Sequence, residues 1–158
     1  MHWDNSMEPE KQIQVLIVDS NRPFAEGTKA LLSFEPRISA IGIVEDEYSC
    51  FNILKDSSPD VVLLDFYLKD TSGLDLMAKL KKAQPTIKVI MLIEQNQEGY
   101  VLAANRQGAE GLLLKTCSLD EMTKAIFSVA KGGVYFSPSP SAFSPIEIDF
   151  NDLHFPVK

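Results

Sequence analysis

Apolar positions along the chain gather into five short runs, and the segments between them show the mixed polar and apolar periodicity of helices. The runs are 13–18 (IQVLIV), 38–44 (ISAIGIV), 61–64 (VVLL), 87–93 (IKVIMLI) and 110–114 (EGLLL). Strands of a parallel sheet are covered by helices on both faces, so they read as nearly continuous apolar runs rather than as alternation. Runs of this kind alternating with helical segments predict an α/β fold with five parallel strands and five helices.

Helix boundaries follow from caps and breakers. Asn21 is a good N-cap and Pro23 sits where a missing N–H is harmless, which predicts a first helix ending near Phe34. A second runs from about Tyr48 to Lys55 and a third from about Ser72 to Lys82, each stopping ahead of a proline, Pro59 or Pro85. The fourth, from about Gln97 to Gln107, meets Gly108 as its stop. Ser118 and Glu121 have capping-box spacing, and Leu119, Met122, Ile126 and Val129 form one apolar stripe of a fifth helix, which is expected to be core. After Gly133 the stretch VYFSPSPSAFSP cannot continue a helix or a central strand and reads as a linker or tail. The expected organisation is an N-terminal extension (1–11), one domain (12–136) and a Pro/Ser-rich tail (137–158). Within the tail, IEIDF (146–150) alternates as would a strand added to a sheet edge, against the plainer reading of a partly ordered tail.

The chain has 158 residues and a net charge of −7, with no Lys/Arg cluster, so nucleic acid is not expected to bind through it. No apolar run is long enough to cross a bilayer, and the mixed-charge start MHWDNSMEPEKQ is not a signal peptide. Cys50 and Cys117 lie far apart without metal-ligand spacing, which suits a reducing, cytoplasmic setting; Cys50 reads as a small buried hydrophobe and Cys117 as a loop thiol.

Two of the apolar runs deliver the chain directly to a carboxylate: QVLIVDS reaches Asp19 and DVVLLD reaches Asp65. Five strands and five helices suit the order 2-1-3-4-5, in which the first and third strands are neighbours and ligands bind at the carboxyl edge. Asp19 and Asp65 would then stand side by side, repelling by about 4 kcal/mol at a separation of about 4 Å and an effective dielectric of about 20. A cation should offset this. Lys115, at the end of the fifth run, is one candidate, and a magnesium ion held by carboxylates, waters and phosphate oxygens is another. A carboxylate beside both is a plausible nucleophile toward a phosphoryl donor, and Asp65 is the candidate. The competing reading is that each acid only caps the helix after its strand.

The combination of VLIVDS, VVLLDFYLKDTSGLDL with Gly73 eight positions after Asp65, and GAEGLLLKT with Lys115 fifty positions after Asp65 resembles the receiver domain of two-component response regulators. With the ending KGGVYFSPS it is most similar to receivers of NarL/LuxR-type transcription regulators. The resemblance implies a flavodoxin-like doubly wound fold and a cytoplasmic phosphorelay protein rather than an enzyme. It implies Asp65 as phospho-acceptor, Lys115 as phosphoryl contact, and a Mg2+ site from Asp19, Asp65 and the Tyr67 backbone carbonyl. A sensor histidine kinase would be the partner and a homodimer a possible assembly, with DNA bound only through a helix-turn-helix domain outside this chain.

Several positions depart from that pattern. Ser20 stands where the family has a second acid, which should weaken the metal site. Ile93, followed by Glu94, replaces the hydroxyl residue that bonds the phosphoryl group, and Leu112 replaces the usual aromatic switch residue. Lys69 stands for a common proline, and Tyr67 is larger than usual occupants and could obstruct either donor or water. Two functions follow: a phospho-accepting receiver, or a pseudo-receiver acting as a phosphate-independent interaction or dimerisation module. An enzyme is disfavoured. Tyr67 occupies the place of the second acid of haloacid dehalogenase-type phosphatases, no GxxxxGK[ST] loop is present, and neither His2 nor His154 lies near a strand end.

Overall fold

A computed structural model describes residues 11–95 and 98–140. Along the chain these form β1 (Ile13–Val18), α1 (Arg22–Leu32), β2 (Ile38–Val44), α2 (Glu47–Leu54), β3 (Val61–Asp65), α3 (Gly73–Ala83), β4 (Lys88–Ile93), α4 (Glu98–Arg106), β5 (Gly111–Leu114), α5 (Leu119–Ala130) and β6 (Tyr135–Ser137). The sheet order is β2-β1-β3-β4-β5-β6, and all five pairings are parallel.

Because successive strand side chains point to opposite faces, each apolar run feeds two cores. Leu16, Val18, Val62, Leu64, Val89, Met91, Ile93 and Leu112 pack with α2, α3 and α4. Val15, Ile17, Val61, Leu63, Ile90, Leu92 and Leu113 pack with α1 and α5 on the other face. Cys50 is fully buried in the first layer, where burial pushes its thiol up to about 12 and keeps it a neutral hydrophobe.

The caps act as their side chains dictate. Asn21, Ser72 and Ser118 accept from the backbone N–H three residues on, at Phe24, Asp75 and Glu121. Asp46 does the same for Ser49, so α2 starts a residue before the expected Tyr48. The Glu121 carboxylate also accepts the Tyr135 hydroxyl at 3.2 Å, tying the start of α5 to β6. Gly108 ends α4 at φ +95°, a conformation that costs a side-chain-bearing residue energy and glycine very little.

The sheet has six strands rather than the expected five, and the boundary expected at 136 falls inside the sixth. Tyr135, Phe136 and Ser137 pair with Gly111, Leu112 and Leu113, while the prolines that suggested a linker begin only at Pro138. An edge strand tolerates a proline at its end because no ladder bond is lost there. The YFS segment also has rings for both layers, Phe136 against one core and Tyr135 against the other. His2, His154 and the IEIDF segment lie outside the described residues.

Candidate functional site

The register places the charged residues before any side chain is considered. Val18 pairs with Leu64 across β1 and β3, so Asp19 and Asp65 are each the next residue at the same edge. Ile93 pairs with Leu114 across β4 and β5, and the Lys115 N–H donates to the Ile93 carbonyl at 2.7 Å, bringing Lys115 to that edge as well. There its Nζ lies 2.9 Å from Asp19 Oδ2 and 3.4 Å from Asp65 Oδ1. All three side chains are buried, with 0 %, 1 % and 6 % of Asp19, Asp65 and Lys115 exposed.

Neither acid caps a helix; those caps are Asn21 and Ser72. Each carboxylate instead holds the loop after its own strand, Asp19 Oδ1 accepting from Asn21 N–H at 2.7 Å and Asp65 Oδ1 from Tyr67 N–H at 3.2 Å. The loop on the Asp65 side returns through a Tyr67–Ser72 bridge and the Gly73 N–H bond to the Phe66 carbonyl at 2.8 Å. A Cβ at Gly73 would collide with the Asp65 carbonyl and with Phe66. The glycine therefore lets α3 start directly against the end of β3, which explains its fixed distance from Asp65.

The electrostatics follow from burial. The Asp19 carboxyl is pushed up to about 6, first by desolvation and then by the Asp65 charge, against the lowering pull of Lys115 and the Asn21 N–H. Lys115 Nζ and Asp19 Oδ2 form a buried ion pair at 2.9 Å. Buried polar atoms need partners, and here a buried acceptor and a buried donor have each other and the neighbouring Asp65 carboxylate at one strand edge. That combination suits a cation beside the carboxylate and an anionic oxygen beside the ammonium. Among the described residues no group of three or more His, Cys, Asp or Glu is placed to hold a metal. Asp19 and Asp65 would supply two carboxylate ligands, within the one or two that magnesium commonly takes. Ser20, half-buried beside Asp19, brings no charge.

The remaining predicted positions sit around this edge. Ile93 and Leu112 are 2 % and 0 % exposed in the same core layer. Glu94 is exposed, and its charge reaches the Tyr67 hydroxyl. Cys117 is half-buried between β5 and α5, its thiol pushed up to about 11 by burial. Two contacts were not anticipated. The Phe24 ring lies 4.7 Å from Lys115 Nζ, a cation–π contact helping to hold the ammonium at the edge. Tyr100 of α4 packs on Phe66 and Tyr67. For Phe24 the strand order gave only the sharing of one sheet face by α1 and α5, and nothing local in the sequence marks Tyr100.

Comparison with known proteins agrees with this geometry. Residues 15–127 match the family described as the response regulator receiver domain. The transcriptional regulatory protein DegU of Brevibacillus brevis is 32 % identical over 134 residues, covering 85 % of this chain and 57 % of DegU. A NarL transcriptional regulatory protein of Mycobacterium tuberculosis is 30 % identical over 132 residues, 84 % of this chain and 61 % of that protein. The chain thus spans roughly three fifths of each relative's length. The solved signal receiver domain of Mycobacterium tuberculosis NarL superposes with a TM-score of 0.72 at 28 % identity, covering 77 % of this chain and 98 % of that one. Among the described residues no helix is long and apolar enough to cross a membrane. By sequence match, fold and the arrangement of its strand ends, the chain belongs to the response regulator receiver domain family of two-component systems, with relatives of the NarL/LuxR type.

Proposed function

We propose that this receiver accepts a phosphoryl group on Asp65 from a sensor histidine kinase and serves a LuxR-type transcription regulator. In this reading the assembled regulator, as a homodimer, contacts DNA through a separate helix-turn-helix domain. The observation that carries it is the buried trio itself: a carboxylate oxygen and an ammonium 2.9 Å apart, with a second buried carboxylate 3.4 Å from the same ammonium. A phosphate-independent module would gain nothing from that arrangement, since replacing a buried ionic cluster by apolar residues is commonly neutral or stabilising.

The chemistry is a substitution at phosphorus. A carboxylate oxygen of Asp65 forms a bond to phosphorus as the bond from phosphorus to the donor's imidazole nitrogen, or to the acyl oxygen of a small donor, breaks. Lys115 stabilises the charge on the transferring oxygens, and Asp19 with Asp65 would hold a Mg2+ ion. When bound, the metal neutralises phosphoryl charge. Ser20 in place of an acid makes the metal requirement high. The test is incubation with acetyl phosphate across a magnesium titration, read by intact mass. Wild type should gain one phosphoryl group, saturating only at elevated magnesium, and Asp65→Asn should gain none. No gain in wild type at any magnesium concentration would leave the interaction-module reading in its place.

A further inference from the structure

Helix α4 packs on β5 and, through Tyr100, also meets the acceptor loop. Its buried residues, Val101, Ala103 and Ala104, are small and cover little apolar area. Its half-buried Tyr100 reaches further. The Tyr100 ring stacks on Phe66 with centroids 4.9 Å apart at 30° and meets Tyr67 edge-on at 5.7 Å and 80°. Phe66 and Tyr67 are themselves 5.8 Å apart at 64°. The three rings thus form a closed cluster in geometries favourable beyond their buried area. The hydroxyls of Tyr67 and Tyr100 are also hydrogen-bonded.

Tyr67 is fastened at its other end to the acceptor. Its N–H donates to Asp65 Oδ1 at 3.2 Å. The turn beyond it is closed by the Tyr67–Ser72 bridge and by the Leu68 N–H bond to the Thr71 carbonyl at 3.2 Å, which tie residues 67–72 into one closed turn. Asp65 is 1 % exposed, and no donor can reach its carboxylate until something covering it shifts. The residue bonded to that carboxylate by its backbone holds α4 by its ring.

We propose that Tyr67 and Tyr100 form a latch, so that opening the acceptor loop to admit a phosphoryl donor and releasing helix α4 from that loop are a single event. Both are positioning residues that act through the loop. The consequence for phosphorylation rests on Asp65 being the acceptor; the mechanical coupling does not. The opening is transient, because neither Ile93 nor Leu112 can hydrogen-bond a phosphoryl oxygen and so hold the open form.

Amide exchange on the full chain without a donor tests the latch directly, using Tyr67→Phe, Tyr100→Phe, the double variant and Tyr100→Leu. In wild type the segments 66–72 and 98–106 should share one opening equilibrium. Each phenylalanine variant should speed exchange in both segments by about fivefold, and the double variant no more than either single one, because all three lose the same hydrogen bond. Tyr100→Leu, which loses the ring contacts too, should add about another tenfold. Phosphoryl uptake from acetyl phosphate with magnesium should rise by the same factors, and Tyr100→Phe should restore part of what Tyr100→Leu changes. Exchange that rises in 98–106 alone, or phenylalanine effects that add, would overturn the latch. If exchange behaves as expected and no variant gains mass, the latch stands and the acceptor reading falls. If every variant gains mass at the wild-type rate and the two segments exchange independently, the reverse holds.

Discussion

The ends of β1, β3 and β5 bring together buried charge that an apolar fold does not need, whereas the last residue of β4 and the middle of β5 are apolar where the family places polar and aromatic groups. The Glu94 that follows β4 is exposed. Asp19, Asp65 and Lys115 meet within 3.4 Å, while Ile93 and Leu112 lie buried in one apolar layer. The two regions share backbone: Lys115 N–H donates to the Ile93 carbonyl, Ile93 pairs with Leu114, and Leu112 precedes Lys115 on the same strand. Their difference separates two properties usually discussed together: accepting a phosphoryl group, and being switched by it. The first needs a nucleophile and cations at one edge. The second needs a group that bonds the phosphoryl oxygen in one conformation and not in the other, since a ligand shifts an equilibrium only by its differential affinity.

The largest effect should come from the charged region. Lys115→Met keeps the volume of the side chain but removes the cation between two buried carboxylates. Breaking a buried ion pair on one side costs about 3–5 kcal/mol, so urea unfolding near neutral pH should show a loss of that size, alongside loss of phosphoryl uptake. A loss below about 1 kcal/mol, as for an exposed pair, would mean the trio is not coupled and the contrast between the regions is only one of composition.

Much of this was legible in the sequence. The five apolar runs became strands close to their expected bounds, because burial on both faces leaves continuous runs with little ambiguity. The meeting of Asp19 with Asp65 followed from strand order, as did the arrival of Lys115. β6 was not legible, since the prolines after Ser137 lent their character to the YFS ahead of them, and its pairing depends on where α5 delivers the chain. The Tyr67–Tyr100 contact was not legible either. The two are far apart in sequence, and only the rotation of α4 on the sheet decides which of its residues faces the acceptor loop.

A smaller effect tests whether the charged edge is unstable without a metal. The Asp19 carboxyl is raised to about 6 from an unfolded value near 3.8 by burial and by Asp65, with Lys115 and the Asn21 N–H opposing. For an acid whose folded value is the higher, the native state binds the proton more tightly. This contribution to stability is fully present below about pH 3.8 and is lost as pH rises through about 6. In chelator, Asp19→Asn should lack this dependence, so that its stability relative to wild type climbs by about 2–3 kcal/mol between pH 4 and 7. Urea midpoints across that range measure it, and parallel curves would mean that Lys115 already offsets the repulsion.

The smallest free-energy change should have the clearest consequence, because it concerns the region built without polar groups. Phosphorylated and unphosphorylated wild type should show nearly the same amide exchange in α4: once the transient opening has closed, nothing at position 93 or 112 distinguishes the two forms. Ile93→Thr with Leu112→Tyr supplies a hydroxyl at the end of β4 and an aromatic in the adjacent strand. A hydrogen bond to a charged group contributes about 1.5–3 kcal/mol. If even the lower figure is realised in one conformation only, the population of that conformation rises about tenfold on phosphorylation. Exchange across Glu98–Arg106, compared in both forms of both proteins, reads this directly. A full-sized change already present in wild type would show that apolar packing can itself be a switch, and the separation of accepting from switching would not hold. A change only in the double variant would place the missing function in two side chains, within a fold that otherwise retains what is needed to receive the signal.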